Sequence, residues 1–225
     1  MALPSSGCLA RDGFLAQLVF GSLVGITAGE MIRASDLHAQ LANYAAYHQH
    51  PINQVIHFVC VPAILHSALL MADHFSLFGV NIKVFNHEIS WATLIAAMYI
   101  TFYLHLDSRV GIVYSAIIAL FYLSARFIRC KYNDQAMRIA LIAQIVSWYL
   151  QLHPGHAIFE KVKPALLDSL GQAVSVAPLF AFYEGVWALG LEPALRDQIR
   201  TATAARRAEM CASEPLLSFC DSSIS

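Results

Sequence analysis

Charge is what this chain is short of. Asp, Glu, Lys and Arg make up 13% of its 225 residues against 58% hydrophobic ones, whereas a soluble domain carries about a quarter charged residues. That scarcity excludes an ordinary water-soluble surface and points to a bilayer. The net charge is −1, so the basic field that a phosphate backbone requires is missing and nucleic acid is not an expected partner. The five cysteines, Cys8, Cys60, Cys130, Cys211 and Cys220, are odd in number and scattered. They lack the pairing of a disulfide framework or a Cys-based zinc site and read as reduced thiols. There is also no internal repeat, no long linker and no lipidation or retention ending.

Long apolar runs are present. Residues 14–28 form a short one after Arg11 that has the length of a signal-peptide core, but Gly21 and Gly25 interrupt it and no clean cleavage site stands out. A membrane-associated helix is the expectation there. From Leu37 to Ala72 there is no charged residue at all, and Ile52–Ala72 is long enough to cross a bilayer. Ile89–Leu106 and Val110–Ala125 follow, joined by Asp107, Ser108 and Arg109, which predicts a tight helical hairpin. A basic, polar connection from Arg126 to Arg138 leads to Ile139–Leu152, and Ala173–Leu191 is apolar but holds Pro178, Glu184 and Gly185. Runs of this length without alternation are helices, since only helices or closed barrels satisfy the backbone in lipid. The expected fold is all-α: an integral membrane bundle of four to five transmembrane or re-entrant helices. Its expected divisions are an N-terminal extension over 1–36, a membrane domain over 37–195 and a polar, disordered tail over 196–225.

Histidines cluster beside these runs. One stretch reads Tyr47-His48-Gln49-His50-Pro51-Ile52-Asn53, with His57 beyond it; another reads His153-Pro154-Gly155-His156. If four segments alternate across the membrane, the start of the first and the end of the fourth share a face, so His48, His57, His153 and His156 converge. His48 and His57 are nine residues apart, about 900° on an unbroken helix and therefore on opposite sides. Pro51 supplies the necessary break and suits the first turn of a new helix. Asn53 would sit in that turn, able to orient a ligand, and Pro154-Gly155 would end the fourth helix and turn His156 back. A lone histidine is usually a solvated or core residue, which is the reading for His38, His87 and His105, whereas four beside helix breakers point to a shared metal. Membrane orientation stays open: Arg126, Arg129, Lys131 and Arg138 favour one side, and Arg11, Arg33, Lys161 and Lys163 the other.

Two carboxylates join the candidates. Glu160, four residues past His156, is either a solvated charge beside Lys161 and Lys163 or a support for His156. Glu184 lies in an apolar run, where an ionised carboxylate is costly without a histidine or lysine partner. The aromatic stripe Tyr99, Phe102, Tyr103, Tyr114, Phe121 and Tyr122 reads as packing, an interfacial belt or the wall of an acyl groove. An all-nitrogen site without thiolates disfavours structural zinc and leaves iron or catalytic zinc.

These residues resemble the ER-membrane, Fe(II)-dependent 2-hydroxy fatty acid dioxygenases of phytosphingosine degradation. The likeness covers about Leu41 to Leu191. Its first motif stands as Tyr47-His48, Pro51, Asn53 and His57, with Pro62 downstream. Its second stands as Trp148, Gln151, Gly155-His156, Phe159-Glu160-Lys161, Pro164-Ala165-Leu166 and Asp168, and its third as Ala177-Pro178 and Glu184. The resemblance implies iron held by His48, His57 and His156, and α-oxidation of a long-chain 2-hydroxy fatty acid by O₂ to the one-carbon-shorter acid. It also implies an endoplasmic reticulum membrane as the location, with membrane lipid around the chain. The sequence departs from the family pattern at His153-Pro154, which carries one residue more before Gly-His. His153 therefore enters as a candidate ligand from its position alone, while Asn53, Glu160 and Glu184 would orient ligands or substrate.

Two other readings remain at this point. A non-enzymatic scaffold or lipid-binding protein would use the histidines to cap helices and bind no stoichiometric metal. A fatty-acyl hydroxylase or desaturase would carry adjacent His-His pairs, and none occurs.

Overall fold

The computed structural model describes residues 13–34, 36–84, 87–162, 164 and 170–213. Lys163, Ala165, Leu166 and Asp168, and the tail beyond residue 213, lie outside the described residues. The architecture is all-α apart from one small hairpin: α1 Phe14–Arg33, α2 Leu37–Ala45, α3 Pro51–Ala72, α4 Trp91–Leu106, α5 Ser108–Tyr132, α6 Asp134–Leu150, α7 Leu170–Ala188 and α8 Pro193–Ser213. The two-residue strands β1 (Lys83–Val84) and β2 (His87–Glu88) pair antiparallel. Three helices, α1, α3 and α5, are long and apolar enough to cross a membrane, while α4 and Ala173–Ala188 of α7 are shorter apolar stretches. Apolar side chains such as Phe14, Leu15, Val55, Val59, Ile112, Leu120, Ile142 and Ile145 stand exposed along these and the neighbouring α6. In water so much exposed apolar surface would drive association, and lipid removes that penalty.

The chain folds as two compact units, residues 1–29 with 63–147, and residues 30–62 with 148–225. In the first, α4 and α5 form the expected hairpin. The Asp107 carboxylate ends one helix and starts the next by accepting from the N–H groups of Arg109 (2.9 Å) and Val110 (3.3 Å). Gly111 lets the helices touch, because a Cβ there would run into the Tyr103 carbonyl. Tyr99, Phe102, Tyr103 and Tyr114 of the aromatic stripe are buried and pack on one another as core. The polar connection expected over Arg126–Arg138 is instead helical: α5 runs on to Tyr132, and Asn133, with φ 42°, alone separates it from α6. The physical reason lies in Asp73, at 0% exposure, which accepts from Arg129 Nε at 2.6 Å and from the Ser90 hydroxyl at 2.6 Å. Arg126 stands 3.6 Å from the same carboxylate and donates to the Glu88 carbonyl, so two charges of the expected connection are paired, Arg129 buried and Arg126 half-buried.

In the second unit, α2 starts at Asp36, whose carboxylate accepts from His38 N–H, and packs Leu41, Ala42 and Tyr44 inward. It lies against α7 and α8. The fourth apolar run does not stop at the His-Pro-Gly-His sequence: α6 passes directly into a π-helix over Gln151–Glu160, ended by Lys161 in the left-handed region. A wider turn tolerates Pro154, which has no N–H to give. Residues 193–213, across the start of the stretch expected to be a polar tail, form α8, which buries Ile199, Thr203 and Met210 on one face. These positions are four, then seven residues apart, a spacing obscured in sequence by the arginines between them. Cys130 and Cys211 are each engaged in a disulfide, which departs from the reduced-thiol reading, while Cys60 is a buried thiol. Scatter along the chain does not reveal which thiols folding brings together.

Candidate metal centre

Three of the four expected ligands meet inside the second unit. His48 follows α2, His57 sits two turns into α3, and His156 lies in the π-helix. All are nearly fully buried, at 2%, 4% and 3% exposure. One ring nitrogen from each lies within 4.8 Å of one from each of the others. The rings are mutually edge-on, with interplanar angles of 74°, 74° and 85°, an arrangement that aims nitrogens at a common point rather than stacking the faces.

Hydrogen bonds set which nitrogens are offered. His48 Nδ1 lies 2.8 Å from the Tyr44 carbonyl and His57 Nδ1 lies 3.0 Å from the Asn53 carbonyl. A carbonyl only accepts, so each Nδ1 carries the proton and each Nε2 keeps its lone pair. His156 hydrogen-bonds the Val162 backbone and leaves Nδ1 unpaired. His48 Nε2 is likewise buried and without a partner. Burial holds His48 well below the ordinary histidine value and the two neighbouring imidazoles push the same way; burial also lowers His156. Both rings are therefore neutral near pH 7, the form that ligates metal.

The surroundings hold this geometry. The Tyr44 ring stacks on His48 at 4.2 Å, and burial, then the charge of Glu184, push its hydroxyl far above the usual range. Pro51 begins α3, as its fixed φ and missing N–H favour. Glu160 binds the turn before it: the carboxylate accepts from Gln49 N–H (2.8 Å), His50 N–H (2.9 Å) and Asn53 Nδ2 (3.0 Å). Its hydrogen bonds thus go to the residues that carry His48 into α3, while its charge also acts on His156. Gln54 Nε2 adds a bond to the His48 carbonyl. Asn53, at 0% exposure, has its Oδ1 unpaired beside Gly155, where a Cβ would come within 2.5 Å of that oxygen. Gly155 is required for this close approach rather than for a reversal of the backbone.

The other candidates lie elsewhere. His153 is exposed and stacks on Tyr149, outside the cluster. His50 stacks on Phe159 and accepts from Ile52 N–H. Glu184 has both carboxylate oxygens buried with no hydrogen-bond partner, and it borders a cavity rather than joining the three histidines. Sequence reasoning passed over Tyr44 and Phe180, whose ring lies 6.1 Å from His48. Tyr44 was detectable, since a residue four before His48 shares its helical face; Phe180 carried no signal. Gln151, buried with Nε2 unpaired, stands in the quoted motif without an assigned role.

Three buried imidazoles with convergent ring nitrogens, those of His48 and His156 without a protein partner, fit a divalent transition metal with coordination positions left over. A model of the family described as 2-hydroxy-palmitic acid dioxygenase Mpo1-like matches residues 34–187, which contain all three histidines. The 2-hydroxy-palmitic acid dioxygenase MPO1 of Saccharomyces cerevisiae is 31% identical over 161 residues, covering 72% of this chain and 86% of that protein. No solved structure matches the chain.

Proposed function

Because this chain belongs to the Mpo1-like family of 2-hydroxy-palmitic acid dioxygenases, we propose that it is an Fe(II)-dependent dioxygenase of long-chain 2-hydroxy fatty acids. It uses O₂ to shorten them by one carbon, in sphingolipid breakdown at the endoplasmic reticulum membrane, as a multi-pass bundle of four to five spanning or re-entrant helices. The observation that carries this reading is the convergence of three buried histidines, with His48 Nε2 and His156 Nδ1 left without a protein partner. Family membership favours an enzyme over a scaffold.

His48, His57 and His156 would hold the ion. Bound there, Fe(II) would supply the redox chemistry that O₂ requires, which zinc lacks. The chain's own groups do the rest. The Tyr44 and Asn53 carbonyls keep the His48 and His57 protons on Nδ1, away from the shared point. Glu160 locks the turn through its three hydrogen bonds, so that His48 and His57 keep their relation. A 2-hydroxy acid offers a carboxylate and an adjacent hydroxyl to one centre, with the Asn53 amide, its Oδ1 unpaired beside Gly155, to orient it, while Glu184 would meet the substrate from the cavity wall. The surrounding aromatic and aliphatic side chains exclude water and receive the tail. His153, exposed on its own tyrosine, has no part in holding the ion.

Anaerobic purification in detergent, metal analysis, and addition of Fe(II), O₂ and 2-hydroxypalmitate test the reading. Mass spectrometry should find the one-carbon-shorter acid. Iron-loaded protein that makes none refutes it.

A further inference from the structure

A cavity of about 860 Å³ opens in the second unit between α3, α7 and α8. Its wall holds Phe58, Phe180 and Trp187, and α8 contributes Arg196, Arg200 and Arg207. These arginines are four and then seven residues apart, so they lie along one face of α8 over about 16 Å. Arg196 and Arg200 are exposed, and neither pairs with a described residue. Arg207, at the other end, is half-buried, approaches the Ala46 carbonyl at 3.5 Å and feels the charge of Glu160, the carboxylate that braces the histidine turn. Phe180 belongs both to the cavity wall and to the packing against Tyr44 and His48, so the apolar wall leads to the histidines. All of α8 lies beyond the family match, which ends at residue 187.

We infer that this cavity is the capture site for a long-chain fatty acid, with the arginine row of α8 holding its carboxylate and the Phe58, Phe180 and Trp187 wall receiving its chain. The inference builds on the proposed function and adds to it the site and the residues that recognise the acid. A single-chain anion matches the cavity in three ways. Among the described residues the arginines are the only charges on the wall besides Glu184, whose oxygens are shielded from solvent. Guanidinium pairs carboxylate through two parallel hydrogen bonds. The volume falls within the roughly 300–1,000 Å³ of small-molecule sites. The row grades from exposed arginines to a half-buried one beside the histidine turn, so a head group captured outside is passed inward.

The test is palmitate titration into metal-free protein in a neutral maltoside detergent, with hexadecanol and phosphatidylglycerol as comparison ligands. Intrinsic fluorescence should respond to palmitate through Trp187 and lose that response in Trp187→Phe. The double variant Arg196→Gln/Arg200→Gln should bind palmitate about tenfold more weakly, hexadecanol as before, and Arg196→Lys/Arg200→Lys should recover palmitate binding. Equal palmitate affinity in wild type and the glutamine variant overturns the inference. So does an equal loss for acid and alcohol, failure of the lysine variant to recover binding, or phosphatidylglycerol displacing palmitate at matched concentration. Palmitate lacks the 2-hydroxyl and the protein lacks metal, so these results are independent of turnover. Palmitate binding without any turnover of 2-hydroxypalmitate breaks the proposed function alone.

Discussion

Two buried polar clusters, one in each unit, were built on opposite terms. Around Asp73 the charges are opposed and close: Arg129 Nε at 2.6 Å and Arg126 at 3.6 Å on the aspartate, with Arg129 again 3.8 Å from Glu88. Around His48 the groups are alike, three imidazoles with convergent nitrogens, of which His48 Nε2 and His156 Nδ1 have nothing to bind. A buried polar atom without a partner costs about 1–3 kcal/mol, so an unpaired cluster survives only where something other than the fold selects it. The contrast teaches that satisfaction, not burial, separates a structural polar cluster from a functional one.

The largest expected break in that contrast is removal of a histidine. His48→Ala, His57→Ala or His156→Ala should abolish both bound iron and turnover while leaving a folded protein, checked by metal analysis and activity on the same sample; normal iron content in any of them would remove that residue from the centre. Arg129→Met should do the reverse. It strands a buried Asp73 carboxylate, costs about 3–5 kcal/mol of stability, and should lower the thermal midpoint in detergent while protein that remains folded still binds iron. Glu160→Gln sharpens the comparison from the side of the turn. It keeps the shape but weakens the grip on Gln49, His50 and Asn53, and should lower iron affinity by about 10–100-fold, the usual scale for groups that support ligands. The smallest effect belongs to His153→Ala, within about 0.5 kcal/mol of wild type in stability, with iron content unchanged by titration.

How much of this was readable beforehand differs from residue to residue. Pro51 is legible because proline at a helix start acts locally: its fixed φ and missing N–H suit the first turn of α3, and the break between His48 and His57 follows. The α4–α5 hairpin is legible for the same reason, as Asp107 caps the residues next to it. Gly155 shows where local reasoning stops. The sequence suggests a flexible backbone, but the glycine is needed because Asn53, a hundred residues earlier, presses against it. The four-residue spacing of Glu160 from His156 left it either a solvated charge or a support for that histidine; its charge does act on His156, but its hydrogen bonds go to residues more than a hundred positions away. Arg129 read as part of a basic connection between helices because its aspartate lies 56 residues back. The periodicity of α8 was masked by its charges, which face the cavity rather than water alone.

By itself the sequence determined the environment and the local breaks: an apolar chain with too little charge for water, helical runs, and histidines placed next to the residues that end helices. Hydropathy and backbone stereochemistry act over a few residues, so they can be read in order along the chain. Only the tertiary structure decided which histidines meet, that His153 does not join them, and that Glu160 holds the turn. Those outcomes depend on distances between residues far apart in sequence, and hydrogen bonds and lone pairs reach only about 3 Å.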